Sequence, residues 1–263
     1  MFEVICNNYP FKVEKIIKNE ESTIGNVYDI FGFTDRYIMK VYDNKEHTVS
    51  MIKIHEDLKR NGFNVPDIIL NNNNIGYTFF DNKYYVVYSF LDGKQLGNVC
   101  KFIDKDMAFK IGKTIRKFHD FTSGNNIYNL DMVPFDVKFN NRCSALHFDL
   151  TKGNIFYNNL WNDCIGFIDF DDAKYGPCVC DVAIALCLLF ISKSYGINYD
   201  GIKAFIDAYY KEDENVVEIP YLREYAIKWI DYVLDSNEFD SSTKESFEIK
   251  KQLLANENFI NTI

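Results

Sequence analysis

The apolar residues of this chain change their repeat near its middle. Up to Asp92-Gly93 they come in short runs separated by turn formers, and beyond that step they recur every three to four residues. Strands first and helices after define an α+β chain. The change predicts a first domain over 1–91 and a second over 92–263. FKVEKII (11–17), NVYDIFGF (26–33) and RYIMKVYD (36–43) predict strands of a meander, with Gly25-Asn26 and Thr34-Asp35 as its turns. HTVSMIKIHEDLKRNGF (47–63) predicts a helix with Val49, Ile52, Ile54 and Leu58 near one face, ended by Gly62 and kept from resuming by Pro66. DIIL, IGYTFF and KYYVVYSFL (67–70, 75–80 and 83–91) predict further strands, and the run Asn71 to Asn74 a surface turn.

In the second domain, DKDMAFKIGKTIRKFHDF (104–121) spaces Met107, Ile111, Ile115 and Phe118 as the core face of a long helix, with Asp104 as its N-cap. CSALHF and CIGFIDF (143–148 and 164–170) predict the arms of a small hairpin around a polar loop, and helices are expected from Val182 onward. The 38 acidic against 29 basic residues give a formal charge of −9, which argues against a nucleic-acid surface and favours cationic or metal-bound ligands. Seven cysteines without a C-x-x-C pair read as reduced, mostly buried thiols; Cys178 and Cys180 form a C-x-C with no histidine beside it. The longest apolar run, VAIALCLLFI (182–191), is half a membrane span, so a cytoplasmic protein is expected. His47 and His55 are expected to be exposed, and His119 structural.

The informative segment is His147-Phe148-Asp149-Leu150-Thr151-Lys152-Gly153-Asn154, followed by Ile168-Asp169-Phe170. Phosphoryl transfer requires a carboxylate to orient the attacking hydroxyl, an amide oxygen and a second carboxylate for Mg²⁺, and a cation on the nucleotide phosphates. H-x-D-x-x-x-x-N followed by I-D-F supplies the first three, and Lys40 on an upstream strand supplies the fourth. Singly, each residue reads as a turn former or cap; jointly, in this order, they read as a phosphotransferase site.

These motifs resemble the aminoglycoside phosphotransferase and choline kinase family. Further matching features are I-G-N-V-Y (24–28), Y-I-M-K-V-Y (37–42), N-G-F-N-V-P (61–66), Y-S-F-L-D-G (88–93), Phe118-His119 and Y-G-P-x-x-x-D (175–181). The resemblance implies a bilobal protein-kinase-like fold: a small antiparallel-sheet N-lobe with one helix that binds nucleotide, and a larger, mostly helical C-lobe with the catalytic loop and acceptor-binding helices. It implies Asp149 as catalytic base or orienting carboxylate, with Asn154 and Asp169 on Mg²⁺ and Lys40 on the phosphates of ATP, GTP being the alternative donor. Thr23, Ile24, Gly25 and Asn26 would cover those phosphates, and Ser89, Phe90 and Leu91 would bind adenine through backbone groups. His147 would brace the catalytic loop and Asp181 would accept its backbone N–H groups.

The chain departs from the family at Phe148, usually Gly, and at Thr151, often His. The helix after Lys40 carries Ser50, Met51 and Ile52 where the family places a Glu paired with the lysine; Glu46, Glu56, another carboxylate or no partner at all remain open. The expected acceptor is the hydroxyl of a small molecule, with cationic ones favoured by charge; neither nucleic acid nor membrane is expected as a partner, and monomer and homodimer are both compatible. Tyr221, Tyr225, Trp229 and Tyr232, with Glu224, Asp231 and Asp235, are read first as a helix core face and second as a cation-binding face. The alternatives to a small-molecule kinase are a nucleotide-binding pseudokinase or regulatory module, and a Ser/Thr protein kinase.

Overall fold

In the first half of the chain the predicted strands join in one antiparallel sheet, preceded by a helix that the periodicity did not announce. The computed structural model describes residues 2–19, 26–99, 102–138, 142–211, 218–236 and 239–255. It divides into two units, Met1–Asp92 and Gly93–Ile263. In the first unit α1 (Phe2–Asn8) precedes β1 (Val13–Lys18), β2 (Val27–Gly32), β3 (Arg36–Tyr42), α2 (Lys45–Arg60), β4 (Ile68–Ile69), β5 (Thr78–Phe80) and β6 (Lys83–Ser89). The strand order is β1-β2-β3-β6-β4, and β5 also pairs with β6. Val4 and Ile5 of α1 close a core with Ile30, Met39, Val41, Tyr85 and Val87, so the helix forms because the sheet covers its apolar residues.

Helix α2 begins at Lys45, where Asn44 Oδ1 accepts the His47 N–H at 3.0 Å. Its inward series is Met51, Ile54, His55 and Leu58, spaced i, i+3, i+4, i+7; Val49 falls off it and is exposed. His55, expected outside, is instead buried, its ring 5.0 Å from that of Tyr88. The asparagine run is a turn, but Asn71 is buried within it. Its Nδ2 donates to the Tyr77 carbonyl and its Oδ1 accepts the N–H groups of Asn73 and Ile75. Asp81 and Asn82, both left-handed at φ 49° and 57°, close the β5–β6 hairpin.

The second unit runs β7 (Lys94–Gln95), α3 (Leu96–Val99), α4 (Lys105–Phe121), β8 (Cys143–Leu146), β9 (Ile155–Tyr157), β10 (Ile165–Phe167), β11 (Lys174–Pro177) and α5 (Cys178–Ala185). A π-helical turn Leu186–Phe190 follows, then β12 (Ile191–Ser192), β13 (Gly196–Ile197), α6 (Tyr199–Tyr209), a 3₁₀ turn Ile219–Tyr221, α7 (Leu222–Asp235) and α8 (Ser241–Ala255). Two expectations need correction. CSAL and CIGF do not pair with each other: β8 pairs with β11, while β10 pairs with β9, a strand formed inside the segment read as polar loop. The terminal helices start at Cys178, just after Pro177, and the π turn and the β12–β13 hairpin interrupt them.

Of the cysteines, Cys178, Cys180 and Cys187 are buried, Cys143 and Cys164 half-buried and Cys6 exposed; Cys100 and the acidic cluster 212–214 lie outside the described residues. Among the described residues, no helix is long and apolar enough to cross a membrane.

Helices α4 and α6 meet at Gly112, where an added Cβ would lie 2.4 Å from the Phe205 carbonyl oxygen. In an open helix Gly→Ala stabilises by about 1 kcal/mol. Here Gly112→Ala is expected to destabilise by about 1–3 kcal/mol through overpacking, and urea unfolding reads the sign directly.

Candidate active site

In the first unit the residues singled out from the sequence lie on or beside strands. Lys40 lies on β3, cross-strand from Val27 on one side and Val86 on the other. The Val41 N–H donates to the Asn26 carbonyl at 3.0 Å, so Lys40 and Asn26 are neighbours at the start of β2. Thr23, Ile24 and Gly25 lie outside the described residues. Ser89 ends β6 opposite Tyr37; its N–H donates to the Asp67 carbonyl and its Oγ accepts the Asp67 N–H, both at 2.8 Å. The Phe90 N–H donates to the Arg36 carbonyl at 3.3 Å, and its ring lies 4.5 Å from the Arg36 guanidinium. Leu91, half-buried, follows directly. Of the glutamates considered for Lys40, Glu46 is exposed in the first turn of α2 and Glu56 sits 3.5 Å from Arg60. In the neighbourhood where the family places its Glu, Ser50 and Met51 are buried and Ile52 is half-buried.

The second unit gathers the remaining residues into one constellation. The loop after β8 bends at Phe148, whose φ of 65° is a left-handed conformation that a bulky side chain adopts only under external constraint. That constraint is Asp181 on α5, fully buried. Its Oδ2 accepts the His147 N–H and its Oδ1 the Phe148 N–H, both at 2.8 Å. The same Oδ2 lies 3.1 Å from His119 Nε2 on α4. Held this way, the loop turns through the bonds Thr151 N–H to Asp149 O (2.9 Å) and Asn154 N–H to Thr151 O (3.1 Å). Gln95 and Gly97 secure its far side, through Gln95 Nε2 to the Gly153 carbonyl and the Gly97 N–H to the Lys152 carbonyl.

The five-residue step then brings Asn154 back onto Asp149: Asn154 Nδ2 donates to the Asp149 carboxylate at 2.7 Å and to its carbonyl at 3.0 Å. Both bonds use the amide nitrogen, so the Asn154 Oδ1 is left for another partner. The β9–β10 hairpin returns the chain to the same place, where the Ile168 N–H donates to the Asn154 carbonyl at 3.0 Å. His147 Nε2 bonds the Ile168 carbonyl at 2.9 Å, which requires the proton on Nε2; the buried Nδ1 meets no hydrogen-bond partner among the described residues. Asp169 follows at φ 66°, a second left-handed residue at the site.

Burial pushes the Asp149 carboxyl up to about 6, the His147 imidazole opposes the shift, and the Asp172 and Asp169 carboxylates add to it. Negative charge gathered around one amide oxygen is a donor set for a hard divalent cation. Among the described residues no three His, Cys, Asp or Glu side chains form a metal-holding group by themselves. The C-x-C thiols are no alternative: burial pushes Cys178 up to about 11 and Cys180 higher still, so neither offers a thiolate.

Sequence reasoning anticipated Asp149, Asn154, Asp169, His147 and Asp181, which the fold brings together. It missed Gln95 and the contact of His119 with Asp181, because partners 58 and 62 positions apart leave no local signal.

Residues 141–216 match the sequence model of the phosphotransferase enzyme family (APH). No curated protein matches the chain. Among solved structures, an amicoumacin kinase in complex with AMP-PNP and Ca²⁺ shares 15% identity over 95% of this chain and 91% of that one, at a TM-score of 0.73. A spectinomycin phosphotransferase in complex with ADP and spectinomycin shares 15% over 100% and 98%, also at 0.73. A microcompartment-associated aminopropanol kinase shares 12% over 93% and 92%, at 0.71. At such identities the structures speak for the fold, and the match over 141–216 covers the segment with both motifs. The chain has the α+β protein-kinase-like fold of these structures, an antiparallel sheet with a helix followed by a mostly helical part, and its residues 141–216 match the phosphotransferase enzyme family.

Proposed function

We propose that the chain transfers the γ-phosphoryl group of ATP, with Mg²⁺, to a hydroxyl group of a small amino-bearing molecule. The observation that carries this reading is the Asn154 amide. It holds the Asp149 carboxylate at 2.7 Å through nitrogen and keeps its oxygen for a metal, in one loop that the β9–β10 hairpin joins to Asp169. Asp149 orients the acceptor hydroxyl and takes its proton as the new O–P bond forms and the bond from the γ-phosphorus to the bridging oxygen breaks, releasing ADP; Lys40 offsets charge on the phosphates. Asn154 Oδ1 and Asp169 would hold Mg²⁺, which would supply charge neutralisation across the transferring phosphates. Within the first unit, the N–H groups of Ser89 and Phe90 are spent on Asp67 and Arg36, so adenine recognition shifts toward Leu91.

For the acceptor, helix α7 supports the core reading of its rings. Tyr225 and Trp229 are buried. Glu224 is bonded by Lys138 and Lys228, each at 3.1 Å, and Asp231 by Lys251 at 2.5 Å; the Lys138 and Lys228 ammonium groups lie 5.9 and 5.5 Å from the Tyr221 and Tyr225 rings. The chain's own lysines thus occupy the cation positions. Tyr232 remains, 42% exposed and 6.3 Å from the Phe148 ring, which in turn stacks with Phe135 at 6.3 Å. This aromatic edge adjoins Asp149 in the chain and suits the carbon face of an amino alcohol or amino sugar, while the charge of −9 draws a cation in. Solved neighbours named for amicoumacin, spectinomycin and aminopropanol support the class.

A second reading, a nucleotide-binding regulatory module, draws on α2, whose buried residues include no carboxylate among those described. Mg²⁺-dependent ADP release against aminoglycosides, choline, ethanolamine, homoserine, methylthioribose and amino sugars separates the two; ATP binding with no release on any acceptor favours the module. Asp149→Asn is expected to lower turnover by about 10²–10⁴-fold with nucleotide affinity unchanged, and wild-type turnover in that variant sinks the assignment. Asn154→Ala removes a metal oxygen and the Asp149 clamp together. It should lower turnover by about 10–100-fold and raise the Mg²⁺ concentration for half-maximal rate, which a Mg²⁺ titration reads.

A further inference from the structure

Behind Asp181 lies a relay that no part of the proposed chemistry uses. Tyr209, at the end of α6, is fully buried, and its hydroxyl lies 2.7 Å from His119 Nδ1 and 2.9 Å from the Arg142 guanidinium. A guanidinium only donates, so the Tyr209 oxygen accepts from Arg142. Among the described residues, the phenolic proton has one remaining acceptor within hydrogen-bond distance, the lone pair of His119 Nδ1. An imidazole that accepts at Nδ1 carries its proton on Nε2, the atom facing Asp181 Oδ2 at 3.1 Å. Arg142 is anchored in turn, 3.7 Å from Asp120, which Arg116 holds at 2.7 Å.

We infer that Tyr209, oriented by Arg142, is a positioning residue: it sets the His119 tautomer that donates to Asp181 and so holds the Asp181 carboxylate on the backbone of the catalytic loop. Without the hydroxyl, Nδ1 becomes a buried acceptor with no donor, and the Nε2–H tautomer loses its advantage. The effect passes through Asp181 to the His147 and Phe148 N–H groups, and from there to the aim of Asp149. The inference rests on the reading of Asp149 given above, but its first test does not.

Histidine ¹⁵N spectra and amide exchange of the full-length protein, wild type against Tyr209→Phe, form that first test. The wild type is expected to show His119 as the Nε2–H tautomer with the His147 and Phe148 amides protected; Tyr209→Phe is expected to show mixed or altered His119 protonation and faster exchange at those two amides. Unchanged spectra and exchange overturn the inference even if the protein has no kinase activity. Where activity is measurable, Tyr209→Phe should lower kcat about tenfold with the KM for ATP unchanged. A double-mutant cycle separates positioning from packing. In His119→Gln, the side-chain amide donates to Asp181 without help from Tyr209, so adding Tyr209→Phe should cost little further. Equal losses of kcat in both backgrounds would show that Tyr209 acts by packing alone.

Discussion

The second unit depends on one buried carboxylate. Asp181 sits on α5 and accepts from two consecutive backbone N–H groups of the loop after β8, while the His119 imidazole of α4 reaches the same group. An unpaired charge at full burial would be strongly destabilising. Three donors, two of them fixed by the backbone, turn that liability into a junction between α4, α5 and the loop. Hydrogen bonds to a charged acceptor contribute about 1.5–3 kcal/mol each, enough to hold a backbone geometry that the local sequence disfavours.

That disfavoured geometry is found where the chemistry is proposed. Most left-handed non-glycine residues here are Asn or Asp in turns, such as Asn74, Asp81, Asn82 and Asn129, where the conformation costs little. Phe148 is different, since a left-handed phenylalanine costs on the order of 1–3 kcal/mol. It immediately precedes Asp149, and Asp169 is left-handed too. Asp181 offsets the first directly. His147 supports the second, because its Nε2–H bonds the carbonyl of Ile168, the residue before Asp169. Left-handed backbone thus falls at Phe148 and Asp169, with Asp181 and His147 as braces behind them, while Cys164 adopts it at φ 60° in the turn before β10.

How much of this could be read in the sequence follows from the range of each interaction. Strands 13–18, 27–32 and 36–42 and helix 105–121 were legible because alternation, helical spacing and an Asp104 cap are local signals. The Asp149–Asn154 step was legible for the same reason: five residues determine a bond of 2.7 Å. Pairing between β8 and β11 was not, because CSAL has apolar competitors nearer in sequence than KYGP. His55 was misjudged as exposed because a polar residue reads as solvent-facing by type, whereas it falls beside Met51, Ile54 and Leu58 on the buried face of α2. Helix α1 has only seven residues and forms through packing, so its periodicity is too short to register.

Tyr209 marks the limit of such reading. Its partners stand 90 and 67 residues away, and in sequence it is one aromatic among 18 tyrosines on an amphipathic helix. Its meaning arises from a direction: a donor-only guanidinium on one side leaves the hydroxyl proton one acceptor on the other, and the imidazole passes that polarity to Asp181. A hydrophobic ring of equal size would fill the same space and carry no polarity. The site therefore asks two things of the fold: shape, which the apolar periods encode along the chain, and the orientation of protons, which is settled only when α4, α5 and α6 have met.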